Sequence, residues 1–307
     1  MRRFRLPVLA QAILLSLAGI FLLDCMGAVI KHLGQVYPPQ QLSAYRNLFG
    51  LAPSVVVLLA SAEWRRSGRR VAMRQWRLAL LRGLFIAFAQ FCFYLSLTRL
   101  ALATTTTLAF VSPLFVTMLS VLLLADRVGA WRWSAVAIGF AGVLAIMRPG
   151  GEVFTPFALL PVGAALGYGL SSVTVRLIGP GAPSALINIY AQFAAFLAAA
   201  GLTLATGGHV PVASAADWGW IVAMGGLGGC GALLLVVAYR LTSPGNLAPF
   251  DYFAIPFSFA LGWLFFDEAP FGELFPGVLL IAAGGALIFW RERKAATTRK
   301  PAVPADA

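Results

Sequence analysis

Ten stretches of about 20 predominantly apolar residues, each long enough to cross a bilayer as a helix, restrict what this chain can fold into. They run over roughly 9–31, 41–61, 78–98, 101–124, 131–148, 155–178, 184–206, 216–239, 246–266 and 271–290. Between them stand helix breakers and turn formers: Pro38-Pro39, Asp126-Arg127, Pro149-Gly150-Gly151, Gly179-Pro180-Gly181, Gly207-Gly208, Pro244-Gly245 and Pro270. Charged residues are only 11% of the chain and apolar ones 60%. A soluble domain carries about 25% charge, so a water-soluble fold is excluded. Period-two alternation is absent, which excludes a membrane barrel. The first run continues to Ile30 with no small-residue cleavage site after it, and reads as a membrane helix rather than a secretion signal. The expected fold is an all-α integral membrane protein of ten transmembrane helices.

Positive charge sets the orientation. With the N-terminus inside, 18 of the Lys and Arg residues fall in cytoplasmic segments, against Lys31, Arg99 and Arg148 on the other side. Both termini are therefore expected in the cytoplasm, with the protein in the cell inner membrane and a basic tail over 291–307 beside anionic lipid. Cys25, Cys92 and Cys230 lie in apolar runs without metal or redox spacing, and read as small packing residues.

The two halves of the chain echo one another. Lys31-His32-Leu33-Gly34 corresponds to Arg176-Leu177-Ile178-Gly179 at an offset of 145, and Pro39 and Leu42 to Pro183 and Leu186 at 144. Arg99 matches Arg240 at 141, Pro113 matches Pro256 at 143 and Gly142 matches Gly284 at 142. The units are 9–148 and 155–290, each of five helices. Five is odd, so the second unit enters the membrane inverted. Inverted repeats are the architecture of secondary transporters, with the substrate site between repeats near the midplane.

Specific residues carry a resemblance beyond this architecture. They are Arg46 early in the second helix, the junction Thr98-Arg99-Leu100, and the run Phe110-Val111-Ser112-Pro113-Leu114-Phe115. The boundary Leu124-Ala125-Asp126-Arg127-Val128, Gly139-Phe140-Ala141-Gly142-Val143, Leu261 to Glu268, and Gly284-Gly285 through Trp290-Arg291-Glu292 complete the set. On these the chain resembles the EamA type of the drug/metabolite transporter superfamily, with two EamA repeats over about 9–290. Asp126 stands where that family usually has Glu. The resemblance implies ten helices and transport of small organic solutes, in either direction.

Ionisable groups at depth are functional candidates, because a charge in hydrocarbon is costly. Four have no counterpart in the other half: Asp24, Arg46, Arg82 and Asp251. Counting residues from the helix ends puts Asp24 and Arg46 at similar depth in antiparallel neighbours, which suggests an ion pair. Arg82 and Asp251 form a second such pair towards the inner side. These four are expected to line the substrate pathway or carry coupling. The competing structural readings are snorkelling for Arg82 and a helix N-terminus for Asp251. Gln90, Tyr94, Asn188, Tyr190, Gln192 and Ser171 are candidate substrate contacts, though helix-to-helix hydrogen bonding would use the same groups. Pro113 and Pro256 are expected to kink their helices. Gly225 and Gly229, with their neighbours, give the eighth helix a smooth packing face.

No GxxxxGK[ST], HExxH or clustered set of metal ligands occurs, so neither ATP hydrolysis, a cofactor nor a metal is expected. The partners implied are a small-molecule substrate and the lipid bilayer, without nucleic acid, for a monomer or homodimer. The expected activity is transport of an amino-acid-like, metallophore-like or other amphiphilic metabolite, with export leading. Uptake of a vitamin or nucleotide-like compound such as riboflavin or S-adenosylmethionine is the alternative, and an intramembrane enzyme a minor one.

Overall fold

Helix starts and stops follow the breakers. In the computed structural model, residues 8–66, 68, 71–124, 130–147, 155–178, 183–241, 247, 250–284 and 286–287 are described. The helices are α1 Val8–Leu33, α2 Pro39–Ala60, α3 Ala62–Arg66, α4 Trp76–Leu97, α5 Leu102–Ala109, α6 Ser112–Leu124, α7 Ala130–Met147, α8 Leu159–Ile178, α9 Ser184–Ala205, α10 Ala215–Leu241, α11 Ala254–Phe266 and α12 Phe271–Leu274. Residues 277–284 are helical as well. Pro38 is extended and Pro39 opens α2 at a position where its missing N–H costs nothing. Pro183 precedes α9 in the same way. The boundaries Asp126-Arg127, Arg148 to Gly151, Gly179 to Gly181 and Pro244-Gly245, and the tail 291–307, lie outside the described residues.

Among the described residues, seven helical stretches are long and apolar enough to cross a membrane, and Val136–Ile146 and Ala254–Phe266 are shorter apolar helices. The polarity of the bundle is inverted relative to a soluble protein. Val56, Leu84, Leu122, Leu144, Leu197 and Leu264 face outward, while Ser43, Asn47, Gln90 and Gln192 are buried. Such a surface suits lipid, and the interior must satisfy its own polar groups.

Three expected spans are broken. The span 101–124 stops at Ala109, turns at Phe110 and Val111, and resumes at Ser112. Proline cannot supply the bond back to residue i−4 and its ring crowds that carbonyl. Pro113 therefore occupies the first turn of a new helix rather than the middle of a bent one. Pro256 sits likewise in the first turn of α11, after a turn at Tyr252 and Phe253. The rings of Phe110 and Tyr252, one in each turn, lie 5.4 Å apart. The span 271–290 is interrupted too, at Phe275-Pro276, leaving the single turn α12 ahead of 277–284.

Glycine allows the closest approaches. α10 packs on α1 through Gly231 and Gly19: a Cβ on either would come within 2.9–3.0 Å of the other's carbonyl oxygen. Gly225 and Gly229 of α10 seat against Phe49 and Pro53 of α2. The smooth face read from the sequence is thus used for packing. Gly142 of α7 is pressed in the same manner on the backbone at Gly277. With α4 set between α8 and α9, and α2 against α9 and α10, the helices α2, α4 and α9 enclose the interior that matters below.

Candidate functional site

α2 presents Ser43, Arg46, Asn47, Gly50 and Ser54 at helical spacing on one face. From Ser43 to Ser54 this face runs roughly 17 Å along the helix axis at 1.5 Å per residue. At one end Gln90 of α4 closes a buried network. Its Oε1 accepts from Ser43 Oγ at 2.8 Å and from Asn47 Nδ2 at 2.6 Å. Asn47 Nδ2 also donates to the Ser43 carbonyl at 2.8 Å, which leaves Asn47 Oδ1 to accept from Arg46 Nη1 at 3.2 Å. Asn47 is fully buried and Gln90 nearly so, so each lost partner would leave an orphan in low dielectric.

The other end is built from α9 and α4. Asn188 Nδ2 and Gln192 Nε2 each donate to Ser54 Oγ at 3.4 Å. Arg82 Nη1 donates to Asn188 Oδ1 at 3.3 Å. Gly50 joins the two ends, since a Cβ there would stand 3.3 Å from Gln192 Oε1 and 3.8 Å from Arg46 Nη1. Gly228 of α10 lies beneath the same arginine, 3.3 Å from its Nε by the same measure. Tyr94 and Tyr168 are within electrostatic reach of Arg46. Arg46 and Tyr168 keep part of their surface accessible although they point into the bundle. The result is a continuous polar column between α2, α4 and α9.

The anticipated charge pairs are not the ones that form. No Asp24–Arg46 ion pair occurs among the described residues; Arg46 is held by Asn47 instead. Asp24 is buried, with Oδ2 unpartnered. On α1 it lies between Phe21, whose ring meets Phe257 of α11, and Gly27, which approaches Leu102 of α5. It therefore faces α5 and α11 rather than α2. Arg82 pairs with Asn188 rather than with Asp251, which is half-buried just ahead of the turn that precedes α11. Tyr190 leaves the column, donating from its hydroxyl to the Val71 carbonyl at 3.0 Å. Ser171 is buried on α8. Sequence reasoning missed Ser43, Asn47, Ser54 and Tyr168; the spacing of the first three with Arg46 was the available signal.

A second feature lies at the end of α1. Buried Lys31 forms an ion pair with Glu268 at 2.7 Å, donates to the Leu100 carbonyl at 2.6 Å and sits 5.4 Å over the Phe266 ring. Glu268 Oε2 also accepts the Leu102 N–H at 3.1 Å. Tyr37 and Gln41 bridge the same end to the segment before α10 and to the first turn of α10. Tyr37 donates to Asp217 at 2.8 Å and accepts from the Ala213 N–H at 3.1 Å, and Gln41 exchanges two bonds with the Val210 backbone at 2.7 and 2.9 Å. One face of the bundle is thus stitched shut.

The EamA-like transporter family matches residues 10–148 of this chain. The chain is similar to a riboflavin transporter of Rhizobium johnstonii, 35% identical over 64% of this chain and 63% of that one. It is 26% identical to a pseudopaline exporter of Pseudomonas aeruginosa over 92% of this chain and 97% of the relative. An S-adenosylmethionine uptake transporter of Rickettsia felis is 24% identical over 92% of both chains. A solved crystal structure shares the fold, with a TM-score of 0.63 at 21% identity, covering 93% of this chain and 99% of the other. The family and these relatives are transporters, not enzymes.

Proposed function

We propose that this chain is a secondary transporter that moves a small organic metabolite across the inner membrane by alternating access. The observation that carries the reading is the polar column of α2, α4 and α9: hydrogen-bonding side chains held by neighbouring helices, inside a bundle whose outer surface is apolar. A substrate site at the meeting of helices near the midplane is what such architectures use. The residues assigned to it are Arg46, Asn47, Gln90, Gln192, Asn188 and Arg82, with Tyr94 and Tyr168 as flanking aromatics.

The ten-helix, two-unit inverted arrangement is part of the proposal. It is supported by the turns at Phe110 and Tyr252, which obey the offset of 142 that relates Gly142 to Gly284. The stitched Lys31 face is assigned to the outside, following the charge asymmetry of the loops. Opening that face while the other closes would expose the column alternately.

Export is the leading direction, supported by the near full-length similarity to a named exporter. Uptake of a vitamin is the second reading, favoured by the higher identity to a riboflavin transporter. Metabolite profiles of cells and medium, with the gene deleted and overexpressed, decide between them. A compound accumulating inside on deletion and outside on overexpression establishes export. One removed from the medium only when the protein is present establishes uptake. No change in any compound under either condition overturns the transport reading.

A further inference from the structure

The column contains two arginines and no acid. α2, α4, α8 and α9, the helices that build and back it, carry no Asp or Glu anywhere in their length. α10 contributes one, Asp217, in its first turn, where it is taken up by Tyr37. Arg46 and Arg82 are held by the neutral amide oxygens of Asn47 and Asn188, and neither has a carboxylate within 4.0 Å among the described residues. The Nε of each guanidinium is buried and unpartnered, and so is the Gln192 Oε1 beside Arg46. Asp24, the acid expected to neutralise Arg46, faces α5 and α11.

Two half-buried guanidinium groups inside the bundle without a counter-ion are costly, and a charge from outside the chain would offset that cost. A guanidinium fork matches carboxylate and phosphate geometry, and donating to an ionised acceptor makes roughly twice the hydrogen bond of a neutral pair. The orphan Gln192 oxygen asks for a donor next to the anion. Resting on the transporter reading above, we propose that the transported molecule is a small organic anion, bearing a carboxylate or phosphate that Arg46 and Arg82 hold at successive points along the column, with an N–H or O–H beside it for Gln192. Neutral or cationic molecules would leave the column's positive charge uncompensated.

The test uses matched probes on the purified full-length protein reconstituted in neutral-lipid vesicles. Riboflavin is compared with riboflavin 5′-phosphate, and succinate with succinamide, by equilibrium dialysis of labelled ligand. The anionic member of at least one pair is expected to bind about tenfold or more tightly, and which pair discriminates tells phosphate from carboxylate. Arg46→Gln and Arg82→Gln are expected each to reduce the discrimination several-fold, and Arg46→Lys to restore part of it. Equal binding within both pairs, tighter binding of the uncharged members, or discrimination that survives both Gln variants would overturn the proposal. Counterflow of the bound probe is read in parallel: a neutral probe that exchanges refutes the anion while keeping transport, and an anion that binds but never exchanges refutes transport while keeping the site.

Discussion

Replacing Glu268 with Ala tests how the Lys31 face is held. The change removes the carboxylate 2.7 Å from Lys31 Nζ and the acceptor of the Leu102 N–H. Lys31 keeps the Leu100 carbonyl and the Phe266 ring, but its side chain is 6% exposed, so the ammonium cannot rehydrate in place. Removing one partner of a fully buried pair costs about 3–5 kcal/mol. The Glu268 side chain is 27% exposed, and water screens part of the interaction. The lower end of the range applies, about 3 kcal/mol including the orphaned N–H. That corresponds to roughly two orders of magnitude in the unfolding equilibrium. Glu268→Gln, which retains an acceptor for Leu102, should lose about half as much. The double variant Lys31→Met with Glu268→Leu should be more stable than Glu268→Ala alone, since no buried charge is stranded. Equilibrium unfolding of the purified protein in mixed micelles reads all three. Glu268→Ala within about 0.5 kcal/mol of wild type, or a double variant no better than the single one, would refute the reasoning.

Other perturbations follow from the same contacts. Gly231→Ala puts a methyl 2.9 Å from the Gly19 carbonyl and should destabilise by about 1–3 kcal/mol. Gly226→Ala, where nothing lies within 4 Å, should be neutral or slightly stabilising; equal effects at the two sites would show that α1 and α10 do not meet as described. Gln90→Leu strands the donors of Ser43 and Asn47 and should cost about 2–4 kcal/mol in micelle unfolding, and a change under about 0.5 kcal/mol would remove the network from the core. Asp24→Asn should leave the protein folded and no less stable, because its buried oxygen has no partner to lose; a loss above about 1 kcal/mol would reveal one.

Much of the fold was legible in one dimension. Apolar run length identifies a membrane helix because the bilayer demands about 20 residues and offers the backbone no other partner. The glycines of α10 announced close packing, and proline marked the interruptions at 113 and 256, though not that the helices would stop and restart there; the interruption at Pro276 was not read. The column was half legible. Gln90, Asn188, Gln192, Arg46 and Arg82 stood out as polar groups at depth, whereas Asn47 and Ser43 did not.

The sequence by itself determined the solvent, the apolar stretches and the supply of buried charge. Only the tertiary structure decided which groups meet. Depth along a helix can be counted from its ends, but the direction a side chain points depends on how each helix is rotated and on which neighbour fills the next groove. Asp24 and Arg46 share a depth yet point to different helices, and Lys31 finds a partner more than 200 positions away at Glu268. The rotation is set by where glycines let backbones touch, and that is a property of two surfaces together.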